Sequence, residues 1–293
     1  MKRLNFIFVL TFILLFGPSM AYSIDENAGT SVFPFLKLFG STKTKAMGGV
    51  CAGLSDGMYG NPATLAIQDK KITFMHYRWI EDVNFNSIDF TLPLEGKGIG
   101  ASLNLIETGK QKRTTYSNPG GIGEFETDGI VGCIGYARKI NERIPLGLSI
   151  KYISQKLDDK KGDGYGLDVG GLYDLDRIKF GFLIQNIGFS KVKFIEKEER
   201  LPLTTKLGVA YIKDKGTIAF DLAKPNDNSY KFYLGGEYYI SCLSLRIGYN
   251  SAIDEGNGIT GGFGLSLPGM TLDGSYSPTG RFGETFCFSL SLR

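Results

Sequence analysis

Histidine is almost absent from this chain. His76 stands alone, so a catalytic apparatus built on His pairs or His-rich metal sites has no material to work with. The four cysteines, at 51, 133, 242 and 287, are far apart and form no C-x-x-C pair. That spacing speaks against a zinc site and against a small fold stapled by disulfides, and reads as free thiols. No G-x-x-x-x-G-K-[ST] loop accompanies the glycines, which removes phosphate binding of that type. The formal charge is only +3, falling to about +1 if Lys2 and Arg3 leave with a leader, so nothing points to nucleic acid as a partner.

Long apolar runs are also scarce. The single one, residues 4–17, follows Lys2 and Arg3 and precedes Ser19-Met20-Ala21, where small residues stand at the positions a signal peptidase reads. It is shorter than the ~20 residues a spanning helix needs. Residues 1–21 are therefore expected to be a secretory signal peptide cut after Ala21, and no Cys follows closely enough for a lipoprotein anchor.

What the chain has in quantity is glycine, 40 residues, with 21 Phe and 15 Tyr at a mean hydropathy near zero. Averaging conceals a strict pattern. Ile99-Gly-Ala101-Ser-Leu103-Asn-Leu105, Leu146-Gly-Leu148-Ser-Ile150-Lys-Tyr152, Leu243-Ser-Leu245-Arg-Ile247-Gly-Tyr249 and Phe286-Cys-Phe288-Ser-Leu290-Ser-Leu292 alternate apolar with small or polar residues. A strand that separates lipid from a polar interior alternates in this way. Fourteen such segments fit between residues 72 and 292, with Cys133 and Cys287 on the inward parity. The connections between them alternate in length. Glu95-Gly96, 141–144, Asp176, 213–215, Ser241-Cys242 and Pro268-Gly269 are short, whereas the long gaps 108–128 and 188–202 fall on the opposite rim. Transmembrane barrels have short periplasmic turns and long outer loops, and a soluble sandwich has no reason to keep that parity. The expected fold is all-β, a transmembrane antiparallel barrel of about 14 strands in the outer membrane, with residues 22–71 as an N-terminal plug and 72–293 as the barrel.

Within that frame His76, beside Tyr77 and Trp79, reads as part of an aromatic girdle or the lumen wall rather than as the base of a barrel lipase, and no enzyme is expected. Asp158-Asp159, 196–199 and Asp254-Glu255 fall in expected outer loops and read as solvated charge, with no metal or other cofactor implied. Leu148 should face lipid and Ser149 the lumen, so Arg should be costly at the first and far better tolerated at the second.

The stretch before the barrel is different in kind. Phe33-Pro-Phe35-Leu36-Lys-Leu38 is short and amphipathic, Ala46-Met47-Gly48-Gly49 is small and compact, and Asn61-Pro62-Ala63 has a capping residue followed by proline at the first helical position. Gly48 and Gly49 read as sites of close backbone packing.

These runs, with Ala28-Gly-Thr30 and Leu65, resemble the N-terminal signature of the PorV/PorQ family of outer-membrane proteins, within the larger group of FadL-like barrels. The resemblance implies a fourteen-stranded barrel with an N-terminal segment folded into or under its lumen. It implies a plug motif of Met47, Gly48, Gly49, Asn61, Pro62 and Ala63, and Phe33, Phe35, Leu36 and Leu38 as a hydrophobic gate. Two tasks follow from it. A FadL-like barrel takes up hydrophobic molecules that leave sideways through the wall, and a PorV-like one handles secreted proteins, as in type IX secretion. A passive porin is a third reading, weakened by the segment filling the lumen. The implied partners are outer-membrane lipid and lipopolysaccharide, the barrel assembly machinery, and a hydrophobic small molecule or a secreted protein. The chain ends Leu290-Ser-Leu292-Arg293 rather than on an aromatic residue, so Phe286 and Phe288 carry the aromatic signal in the last strand.

Overall fold

The computed structural model describes residues 25–54, 56–189, 192–193, 198–253 and 256–293. The signal peptide, residues 196–197 and Asp254-Glu255 lie outside them. The strands, in chain order, begin with β1 (Lys71–Arg78), β2 (Asn84–Leu94), β3 (Lys97–Glu107), β4 (Gln111–Thr115), β5 (Asn118–Phe125) and β6 (Thr127–Asn141). They continue through β7 (Ile144–Leu157), β8 (Lys160–Leu175), β9 (Ile178–Gly188), β10 (Val192–Lys193), β11 (Glu198–Glu199) and β12 (Thr204–Lys213). The last are β13 (Gly216–Pro225), β14 (Lys231–Ile240), β15 (Leu243–Asn250), β16 (Ile259–Leu267), β17 (Met270–Pro278) and β18 (Glu284–Leu292).

Fourteen of them form one closed antiparallel barrel in which chain neighbours pair, and β1 closes on β18. Closure leaves no open strand edge, the condition for backbone to cross a bilayer without unpaired polar groups. The two long gaps differ from a plain loop reading. Residues 108–128 carry the separate hairpin β4–β5, and 188–202 carry the two-residue pair β10–β11. Both sit on the long-loop rim and neither joins the barrel.

The alternation fixes facing. Along β7, Leu146, Leu148, Ile150 and Tyr152 are exposed outward, while Ser149 and Lys151 are buried inward. Outward tyrosines gather near both rims: Tyr173, Tyr211 and Tyr238 lie by the short turns, and Tyr152, Tyr165, Tyr249 and Tyr276 towards the long loops. Between them the outer wall is Ile, Leu, Val and Phe, a surface that water would not tolerate and hydrocarbon would. His76 faces outward near the long-loop rim, with Nδ1 2.8 Å from Asn86 Oδ1. The girdle alternative therefore holds for it, and the lumen-facing one does not.

Candidate functional site: the occupied lumen

The interior of the barrel holds its own N-terminal segment. Residues 25–31 lie at the long-loop rim, where Val32 N–H donates to the Arg200 carbonyl at 3.0 Å. From there the chain descends past the inward faces of the strands to β1, which starts on the short-turn rim. It adopts a 3₁₀ turn at Pro34–Leu38, a one-turn α-helix at Thr42–Ala46 capped by the Ser41 hydroxyl, and a second 3₁₀ turn at Pro62–Ala66.

Inward-facing glycines make the seat. A methyl group on Gly181 would overlap the Ala52 carbonyl, and one on Gly98 would overlap that of Leu65. On the segment's side Gly48, at φ +76°, lies against the backbone of Leu234 and Tyr249. Backbone can approach backbone this closely only where no Cβ intervenes.

The residues of the expected plug motif fasten the segment to the wall. Asn61, fully buried, donates from Nδ2 to the carbonyls of Ala52 at 2.9 Å and Gly171 at 3.2 Å, and its Oδ1 accepts from Ala63 N–H at 3.1 Å. Pro62 takes the first position of the turn, as its fixed φ and missing N–H suit. Ala63 is buried beneath it. Gly48 N–H donates to the Thr260 hydroxyl at 2.9 Å, and Met47 is wholly buried with Val50 and Leu54. Gly49 N–H donates to the Thr44 carbonyl at 2.7 Å and closes the helix.

The expected gate residues lie together. Phe33, Phe35 and Leu36 are buried with Tyr77, Phe85, Ile106, Val131, Ile153, Val192 and Leu201, and Leu38 packs against that cluster partly buried. Rings continue downward. Phe33–Phe35, Phe35–Phe39 and Phe39–Tyr59 are 5.9, 6.2 and 5.1 Å apart between centroids, and Phe85 meets Phe39 edge-on at 6.2 Å. Tyr59 belongs to the next apolar cluster, with Met58, Leu65, Cys133 and Ala137. An aromatic column thus runs from the long-loop rim towards the short-turn half, in a compartment that is usually polar in membrane barrels.

Charged groups beside the column were not singled out from sequence. Asp221 Oδ2 accepts from Cys51 N–H at 2.6 Å and Ala52 N–H at 2.8 Å. Lys151 pairs with Asp168 at 2.7 Å, and Asn186, at φ +60° beside the register shift between β8 and β9, bridges both. Arg246 contacts Glu237 at 2.8 Å and Asp273 at 2.6 Å, and Lys43 of the segment joins Glu237 at 2.6 Å. Burial works against the Lys43 ammonium, but Glu237 and Asp56 outweigh it and hold its pKa above the ordinary value. Lys45 has no such carboxylate: its Nζ donates to the Leu38 carbonyl at 2.6 Å and lies 3.8 Å from the Tyr77 ring centroid. Although only half-buried by surface, it is enclosed by the wall, and desolvation brings it down to about 8. Their signal in the sequence is a charged residue at inward parity within an alternating strand, as Lys151 is between Ile150 and Tyr152.

One expectation changes here. Ser149 is fully buried against a filled interior, so Arg there would meet protein rather than water. The four cysteines are free, with Cys51, Cys133 and Cys287 buried and Cys242 exposed. Among the described residues, no group of three or more His, Cys, Asp or Glu gathers to hold a metal.

The outer wall is grooved between β3, β6 and β7 on the long-loop half. A groove of about 260 Å³ is lined there by outward Leu105 and Ile130 together with inward Ile106 and the side-chain-free Gly129, with Glu107, Asp128 and Lys156 at its edge.

No family model and no curated protein matches the sequence. Solved structures do. The CymD monoaromatic hydrocarbon channel superposes with a TM-score of 0.61 at 15% identity over 85% of this chain and 96% of its own. The Ralstonia pickettii toluene transporter TbuX gives 0.60 at 14% over 89% and 100%, and a Pseudomonas aeruginosa FadL homologue 0.59 at 12% over 86% and 97%. The protein is thus a closed antiparallel barrel of fourteen strands. Its fold is similar to that of these solved channels and transporters.

Proposed function

We propose that the protein is an outer-membrane channel for small hydrophobic molecules, with residues 22–71 acting as a plug. The aromatic column carries this reading. Water-filled channels line their lumens with polar groups, whereas here Phe33, Phe35, Phe39, Tyr59, Tyr77 and Phe85 form a contiguous packed apolar column inside the barrel. Parted by movement of the segment, such a column offers an apolar solute a place to leave water and offers an ion none. The likeness to toluene and monoaromatic hydrocarbon barrels supports the same substrate class over the protein-handling role that the N-terminal motif also implies. A segment this closely seated weakens the passive-porin reading. The groove between β3, β6 and β7 is the candidate sideways exit, because lumen-facing and lipid-facing residues line it together. Proteoliposomes holding the protein should accumulate a monoaromatic hydrocarbon faster than empty vesicles while excluding a sugar of similar size. Equal entry of both, or of neither, would count against the proposal.

A further inference from the structure

We infer that the five-residue connection between β13 and β14, residues 226–230, is the clasp that holds the outer entrance shut, a regulation of the same lumen that rests on the proposed channel function. The N-terminal segment meets this short connection and its flank at three successive places. Lys224 pairs with Asp25 at 3.2 Å, the Ser31 hydroxyl donates to Asn226 Oδ1 at 3.5 Å, and Lys37 Nζ donates to both carboxylate oxygens of Asp227 at 2.6 Å. The third contact comes from Lys37 within the aromatic turn Pro34–Leu38 and the second from Ser31 just before it, so the gate is stapled by one piece of wall.

The contacts differ in strength. Lys224–Asp25 is partly exposed and 3.2 Å long, and the serine contact sits at the limit of a hydrogen bond, so each contributes less than a buried two-oxygen pair. Asp227 has a side chain only 3% exposed and is held by Lys37 in a two-oxygen contact. A buried carboxylate that loses its partner is strongly penalised, which makes this pair the decisive one. Phe33 supplies the opposing tendency. It is an aromatic residue at φ +53°, ψ +54°, a backbone state that non-glycine side chains adopt at a cost, and the contacts on either side hold it there. The closed turn is therefore a tensioned element with a single strong fastening at Lys37–Asp227.

The test uses two readouts on the full-length barrel in lipid. Ile153 lies wholly buried beneath the gate, so Ile153→Cys reports its opening through reaction with a membrane-impermeant maleimide, measured above the background of the native thiols. Lys37→Ala, which leaves the Asp227 carboxylate buried without its partner, should raise that labelling roughly tenfold or more, and the reversed pair Lys37→Asp with Asp227→Lys should bring it back towards the parent rate. Separately, Lys37→Cys with Asp227→Cys, in a Cys242→Ser background, should lose hydrocarbon uptake when joined by a short reducible bis-thiosulfonate and regain it on reduction. Unchanged labelling in Lys37→Ala, or unchanged uptake in the cross-linked protein, would overturn the clasp. If the reduced protein takes up no hydrocarbon at all, the channel proposal fails, and the labelling arm still decides the clasp.

Discussion

Asp221→Ala tests how the segment is held, because Asp221 reaches from β13 to take the N–H groups of Cys51 and Ala52 at 2.6 and 2.8 Å. Hydrogen bonds to a charged acceptor contribute ~1.5–3 kcal/mol each, so losing both should weaken docking of the segment by about 3–6 kcal/mol. The barrel should survive, since β13 keeps its full backbone register with β12 and β14. The assay lies at the same place. Cys51 is 5% exposed, and burial pushes its thiol up to about 11, so it reacts only when the segment lifts away. At the lower figure, a weakening of about 3 kcal/mol raises the opened population at least roughly a hundredfold, and maleimide labelling of Cys51 should rise accordingly. A heat-modifiable band on gels confirms that the barrel is intact. Asp221→Asn, which keeps an uncharged acceptor, should fall between parent and Ala. Unchanged Cys51 labelling in Asp221→Ala, with the barrel folded, would refute the idea that this carboxylate anchors the segment.

Leu148→Arg places a guanidinium on the lipid face midway between the level of Ile144 and Tyr152, and should cost ~2–4 kcal/mol in a denaturant titration in lipid; a cost near zero would displace the membrane band. Gly181→Val drives a side chain into the Ala52 carbonyl, so it should raise Cys51 labelling while leaving the barrel's heat-modifiable mobility unchanged. Lys45 gives a pH dependence: with its folded pKa lowered to about 8 by burial, the unfolded chain holds a proton that the folded one has released between about pH 8 and 10.5. Its contribution to stability therefore rises with pH across that window and is level below it. The urea midpoint of the parent should climb relative to Lys45→Met over the same range; parallel curves would contradict the assignment.

The barrel was legible because each strand obeys a local rule. Period-two alternation gives the facing, and the parity of turn lengths gives the rims, so fourteen strands and their order follow from neighbours in sequence. The hairpin β4–β5 was missed because Gln111–Thr115 and Asn118–Phe125 pair only with each other and lack an apolar face, leaving no alternation to read. The interior was legible in part. Asn61, Gly48 and the Phe33–Leu38 stretch stood out as chain that is not strand-like, but their partners come from strands far along the chain. Nothing local marks Gly181 as the seat of Ala52 or Asp221 as the acceptor for Cys51, since a small or acidic residue at inward parity suits a water-filled lumen equally well. The expectation for Ser149 failed for the same reason: parity shows that a side chain points inward, not what already fills the space.

The central claim is that the N-terminal segment, packed inside the barrel, closes the lumen to water and ions, and planar-bilayer recording with and without residues 32–50 tests it most directly. The parent should hold the membrane near its bare conductance, and the deletion, which removes the aromatic turn, the helix and the Gly48-Gly49 seat but no barrel strand, should conduct ions steadily with the barrel intact. A parent that already conducts like an open pore, or a folded deletion variant that remains silent, would contradict it.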